Sequence, residues 1–224
     1  MTDQTKITRR RFLMVAGGAI GASALCCGGL ATLGLRQMAA EFAESSCRQE
    51  EEVSNRILVA YASKCGSTGG VAEAIGQVLC DAGAAVDVRK VQDVKDIGPY
   101  RAIVIGSAVR MARVLPPALK FVEKHRASLS QMPTAYFTAC LAMKDDTPEN
   151  RETAAAYLDP LCQIKEPISV GLFGGKLDYT TLAPIVRFAL SRDQSGQMAE
   201  GDYRDWNAIR AWADELVPAL VSAP

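Results

Sequence analysis

From Arg56 to Ser222, short apolar runs and amphipathic helical stretches take turns along the chain. Ile57-Leu58-Val59-Ala60-Tyr61 is an unbroken apolar run, as expected of a strand buried on both faces. Val71, Ile75, Val78, Leu79 and Ala82 then recur at the helical period over 67–82. Ala85-Val86-Asp87-Val88-Arg89 alternates like an edge strand, and Ala102-Ile103-Val104-Ile105-Gly106 is a second buried run. A helix follows over 116–125 with proline at its start, then a strand over 134–138 and a helix over 149–161. The last pair is a strand over 168–173 and a helix over 205–220, with Trp206, Ile209, Trp212, Ala213 and Leu216 on one face. Strand-helix alternation of this kind means an α/β domain with a doubly wound parallel sheet and right-handed crossovers.

Composition removes other classes. Lys and Arg number 25 and Asp and Glu number 25, so no basic excess marks a nucleic-acid binder. Hydrophobic residues make up 49%, which excludes a disordered polar chain. Seven cysteines in 224 residues are too sparse for a disulfide scaffold, and a single histidine leaves no His-built metal centre. Asp145-Asp146 falls in a polar stretch and reads as solvated loop, so no metal site is expected.

The first 55 residues stand apart. Residues 1–11 are a basic leader with Lys6, Arg9, Arg10 and Arg11. Phe12 to Leu35 is free of charge for 24 residues, about 36 Å as a helix, which makes it a signal or transmembrane anchor. The excess of basic residues before this segment keeps the N-terminus inside and sends the rest outward. Thr8-Arg9-Arg10-Arg11-Phe12-Leu13 resembles a twin-arginine export signal, a pathway that carries folded proteins, against the plainer alternative of a signal-anchor with basic flanks. Ser23-Ala24-Leu25-Cys26 is a poor lipobox and Met38-Ala39-Ala40 a weak cleavage site, so an uncleaved anchor is favoured. Residues 36–55 are polar, with Glu50, Glu51 and Glu52 in a row, and read as a linker containing Cys47. The expected location is the cell membrane with an extracytoplasmic domain; the alternative keeps the domain on the cytoplasmic face.

Chemistry concentrates at Ser63-Lys64-Cys65-Gly66-Ser67-Thr68, between the first strand and the first helix. Hydroxyls at 63, 67 and 68 join the free amides of a helix start, where the dipole favours an anion. This is a phosphate cradle that needs no lysine or metal; the plainer alternative is a turn that caps the helix. It is not a Walker loop, because no Gly-Lys-Ser/Thr ends it.

The same loop resembles the FMN-phosphate signature of flavodoxins, through Ser63, Gly66 and Thr68. The resemblance covers 56–222 and implies a flavodoxin-like sheet of order 2-1-3-4-5, with ligand at the strand C-termini. It also implies that Ser107, Ala108, Val109, Arg110 and Met111 follow the third strand as one flavin loop. Thr138, Ala139, Cys140 and Leu141 form the other. Within flavodoxin-like proteins the chain is most similar to menaquinone-dependent protoporphyrinogen oxidases. That likeness is carried by 104–111, by Gly174-Gly175-Lys176-Leu177-Asp178-Tyr179 and by Glu200-Gly201-Asp202-Tyr203-Arg204-Asp205-Trp206, with 176–205 as an insertion.

The resemblance implies an FMN-dependent oxidoreductase that passes electrons to a quinone, with a porphyrinogen as candidate substrate; the chemistry is the cofactor's. The alternative is a membrane-tethered FMN electron-transfer module serving a redox protein. Two departures from carrier flavodoxins lean toward the enzyme. No Trp or Tyr lies in 106–111 or 138–143 to sandwich the flavin, and residues 56–224 carry 19 basic and 19 acidic residues, leaving no net charge for docking. Arg110 and Arg113 could pair substrate carboxylates or simply be solvated. The apolar stretch 182–190 reads as an arm toward membrane, quinone or planar substrate, or as a packed helix. Cys65 and Cys140 read as small fillers, Cys80 and Cys162 as helix core, and His125 as a helix-end residue suited to the dipole.

Overall fold

The computed structural model describes residues 43–47, 56–179 and 200–221. The chain divides into two units, Met1–Ala39 and Ala40–Pro224, and every described residue lies in the second. The export motif at 8–13, the anchor at 12–35 and the apolar stretch 182–190 fall outside the described residues. Among the described residues no helix is long and apolar enough to cross a membrane.

The strands are β1 (Ser45–Cys47), β2 (Arg56–Ala62), β3 (Ala85–Lys90), β4 (Ala102–Arg110), β5 (Arg113–Val114), β6 (Thr134–Cys140), β7 (Val170–Gly174), β8 (Lys176–Leu177) and β9 (Gly201–Asp202). The helices are α1 (Ser67–Asp81), α2 (Pro116–Lys124), α3 (Arg126–Leu129), α4 (Pro148–Ala156), α5 (Asp159–Cys162) and α6 (Trp206–Leu220), with a 3-10 turn at Leu141–Lys144. The main sheet runs β1-β3-β2-β4-β6-β7, and the four parallel pairings among β3, β2, β4, β6 and β7 reproduce the expected 2-1-3-4-5 order. The sheet reverses its order at β2, so the C-terminal ends of β2 and β4 flank the crevice where such folds bind ligands.

Each strand of the centre supplies both faces. Ile57, Val59 and Tyr61 point into one core with Val71, Ile75 and Leu79 of α1 and Ile209, Trp212 and Leu216 of α6. Leu58 and Ala60 point into the other, with Ile103, Ile105, Phe121 and Leu161. This period-two division explains why these runs lack polar residues: neither face meets water. Trp212 packs edge-on to Phe173 at 5.6 Å and donates its indole N–H to Ser169 Oγ at 2.9 Å.

Several elements depart from the sequence expectation. The helix expected over 149–161 is two pieces, because Pro160 has no N–H for the Ala156 carbonyl and its ring crowds that carbonyl. The stretch 85–89 is not an edge. Ser45–Cys47, inside the stretch read as linker, pairs antiparallel with β3 in the register Ser45↔Val88 and covers it. Cys80, read as helix core, is joined to Cys47 by a disulfide. β4 continues four residues past Gly106 and folds back on β5, so 107–110 is strand rather than loop. His125 does stand at the end of α2, but it is buried against the Phe121 ring, at 4.8 Å, and burial pushes its pKa down, away from the charged form that would suit the dipole.

Candidate cofactor site

The site forms at the C-terminal edge of the sheet. Register places Ala62 of β2 beside Ser107 of β4, and Ser107 beside Thr138 of β6. The three segments singled out in the sequence therefore leave the sheet side by side.

The first loop is shaped by Gly66. Its φ of 82° lies in the left-handed region, which glycine enters without steric cost. Ser63 Oγ accepts from the Gly66 amide at 3.0 Å and closes the turn. Helix α1 starts at Ser67 with no side chain capping it, so its leading amides face outward at the positive end of the dipole. Thr68 is fully buried, and its Oγ1 has no hydrogen-bond partner. A buried hydroxyl without a partner is costly and marks a place for a missing acceptor. Cys65, Gly66 and Ser67 line a cleft of about 640 Å³, while Lys64 is exposed.

The other two segments are held differently. Ser107 Oγ donates to the Ala108 carbonyl at 2.8 Å and accepts from the Leu115 amide at 2.9 Å. Thr138 Oγ1 donates to the Ser107 carbonyl at 3.1 Å. Both hydroxyls serve the sheet end. Ala139 and Cys140 are buried within β6; burial pushes the Cys140 thiol up from its ordinary value, so it stays protonated. Leu141 opens the 3-10 turn. Val109 pairs with Val114, and Arg110 with Arg113, on either side of the turn Met111-Ala112. Met111 is 88% exposed.

The cleft has walls that sequence reasoning missed. Ala43 and Glu44, leading into β1, form one side, and Tyr61 fixes them by donating its O–H to the Ala43 carbonyl at 2.9 Å. Burial, with nearby carboxylates, pushes the Tyr61 pKa up to about 12, so it remains a donor. Lys176 and Arg204 stand on the cleft from β8 and from just after β9, the two ends of the insertion. β8 and β9 pair in the register Lys176↔Asp202, and the Tyr203 amide donates to the Gly175 carbonyl at 3.0 Å. A signal was present, since two of the three segments that carried the family resemblance contain a cation two residues from an aspartate, Lys176 with Asp178 and Arg204 with Asp202. Their destination was hidden, because Arg204 reaches Ser67 across 137 residues of sequence. Among the described residues no group of His, Cys, Asp and Glu could hold a metal ion.

The family model described as "Flavodoxin domain" matches residues 58–200. This chain belongs to the flavodoxin-domain family. Its cofactor is FMN. The residues present fit that group at its phosphate end: an uncapped helix start, a left-handed glycine and an unpartnered buried hydroxyl. Two curated relatives are named protoporphyrinogen IX dehydrogenase [quinone]. The one from Leishmania major is 26% identical, covering 76% of this chain and 78% of that protein. The one from Escherichia coli (strain K12) is 23% identical, covering 72% of this chain and 94% of that protein. Among solved structures, an archaeal flavodoxin is 19% identical with a TM-score of 0.46, covering 74% of this chain and 98% of its own. A flavoprotein in complex with FMN from Lactobacillus acidophilus NCFM is 16% identical with a TM-score of 0.41, covering 53% of this chain and 93% of its own.

Proposed function

We propose that this flavodoxin-domain protein is an FMN-dependent oxidoreductase that passes electrons from a reduced substrate to a quinone, with a porphyrinogen as substrate. FMN supplies the two-electron chemistry when bound. The protein's residues hold it and orient what approaches it. The observation that carries the reading is the β4–β5 hairpin. It places Arg110 and Arg113 in direct cross-strand register beside an exposed Met111, on the strand that borders the cofactor crevice. Like charges placed opposite each other are unfavourable unless an anion joins them. A planar apolar substrate carrying carboxylates matches two guanidinium groups and a methionine. The names of the Leishmania and Escherichia relatives agree with that substrate and acceptor. Ser63 to Thr68 would hold the phosphate, with 107–111 and 138–141 at the flavin ring.

The disulfide between Cys47 and Cys80 supports an extracytoplasmic domain tethered through residues 12–35, because such bonds persist in oxidising compartments. That placement favours a second reading, a tethered electron-transfer module for a redox partner, since haem precursors are made inside the cell. The test is anaerobic turnover of protoporphyrinogen with a quinone by the full-length FMN-loaded protein, beside a Ser63→Ala, Thr68→Ala control. Turnover that the control loses supports the oxidase. A flavin that reduces and reoxidises without substrate turnover supports the carrier. Reporter fusions at the C-terminus decide the side of the membrane.

A further inference from the structure

We infer that Arg204, with Lys176 beside it, is a phosphate-binding residue that makes this site select FMN over riboflavin. The inference rests on FMN as cofactor and is independent of the substrate reading.

Arg204 is a built cation. Its Nε donates to Asp202 Oδ1 at 2.7 Å and its Nη2 to Asp202 Oδ2 at 2.5 Å. Its Nη1 donates to the Ser67 carbonyl at 3.3 Å. The guanidinium lies 4.4 Å from the Trp206 ring, and the side chain is only 13% exposed. Gly70 makes room for it: a Cβ there would stand 2.8 Å from Nη1. An arginine held this firmly keeps little rotamer freedom to lose on binding a ligand.

Its position is electrostatically costly without an anion. Ser67 is the first residue of α1, where the helix dipole is positive and a cation is disfavoured. Asp202 balances the arginine's own charge but not the helix end. Three of the five guanidinium N–H groups are used by the bonds above, which leaves two for a further acceptor. Lys176 lies on the same cleft, half-exposed and 3.3 Å from Asp178, with ammonium donors to spare. Glu44 and Glu73 line the same cleft. Among carboxylates that would repel a dianion, the groups in the cleft that can accept one are the leading amides of α1, Arg204 and Lys176. Arginine's planar fork suits phosphate oxygens. The unpartnered Thr68 Oγ1 belongs to the same first turn of α1.

The alternative role for Arg204 is a clasp that only ties the end of the insertion to α1. Titration of full-length apo-protein with FMN and, separately, with riboflavin, read by flavin fluorescence, separates the two. A phosphate ligand predicts that Arg204→Ala weakens FMN by roughly ten- to a hundredfold, with riboflavin affinity unchanged and a shallower salt dependence for FMN. Lys176→Ala should cost FMN alone a smaller, several-fold loss. Equal losses for both flavins, or no loss of FMN affinity, overturn the inference. Should Arg204→Ala fail to fold, Arg204→Lys decides. A reduced preference for FMN over riboflavin supports the assignment, and an unchanged preference overturns it.

Discussion

Cys47 on β1 and Cys80 in the last turn of α1 are joined by a disulfide, with Cα atoms 6.4 Å apart. The bond fastens the segment leading in from the N-terminus to the domain. Three residues of antiparallel pairing are too few to hold a strand alone. Arg56 adds to the clasp by donating Nη2 to the Cys47 carbonyl at 2.9 Å. The segment so fixed brings Ala43 and Glu44 to the wall of the cleft beside Ser67.

Reduction of this bond should lower stability. The linked residues are 33 apart, and a loop of that length corresponds to about 3–4 kcal/mol in the chain-entropy account. Thermal unfolding with and without reductant, and of Cys80→Ser, should show matching drops in Tm. Equal melting under both conditions would mean the two thiols are not joined.

Asp87 is the polar centre of the same edge. It accepts from Arg56 at 2.7 and 3.0 Å, from Ser46 at 2.6 Å and from Tyr100 at 3.0 Å. Burial would raise its pKa, but these hydrogen bonds, led by Arg56, outweigh it and hold the carboxyl below its usual value. A depressed folded pKa gives stability that is present above the unfolded value and is lost as pH falls through the folded one. Stability to urea should therefore decline below about pH 4. Asp87→Ala, which strands the buried Arg56, should cost about 3–5 kcal/mol at neutral pH and abolish that decline. An acid limb that persists unchanged in the variant would assign it to other groups.

Thr68→Ala should separate folding from binding. The hydroxyl has no partner in the apo-protein, so apo stability should stay within about 1 kcal/mol of the parent or rise. FMN affinity should fall about tenfold, the loss of one hydrogen bond to a charged group. A large loss of apo stability with normal FMN binding would give the hydroxyl a structural role.

The turn Met111-Ala112 has φ values of 53° and 57°, both left-handed and neither residue a glycine. Two-residue hairpins of this twist favour Asn-Gly. Met111→Asn with Ala112→Gly should raise stability by about 1 kcal/mol, read from denaturant midpoints. The same change removes the exposed Met111, and under the substrate reading it should raise KM while leaving kcat near the parent value. Arg110→Ala should raise KM for a carboxylate substrate about tenfold. A KM indifferent to both changes would separate the hairpin from substrate binding.

The alternation of apolar runs and helical periods was enough to place the five parallel strands, most clearly where burial on both faces leaves no polar residue to blur the pattern, while their order came from the flavodoxin resemblance. The turn proposed to hold the phosphate was legible as a strand-helix junction for a similar reason. A glycine and three hydroxyls at a strand-helix junction are a local arrangement, and local geometry is written in adjacent residues. Pro160 was equally local, yet the apolar pattern around it masked the break it makes between α4 and α5.

What the sequence could not show was decided at a distance. Whether Ser45–Cys47 is linker or strand depends on an exposed β3 edge and on Cys80 being within reach. Neither is encoded near residue 45. Whether Ser107 and Thr138 face a ligand or each other depends on the register of β4 against β6. The arrival of Arg204 at Ser67 depends on β8 and β9 pairing across the insertion and on Gly70 leaving space. Residues near in sequence share a periodicity that can be read directly; residues brought together by the fold share only a position in space, and packing alone determines it.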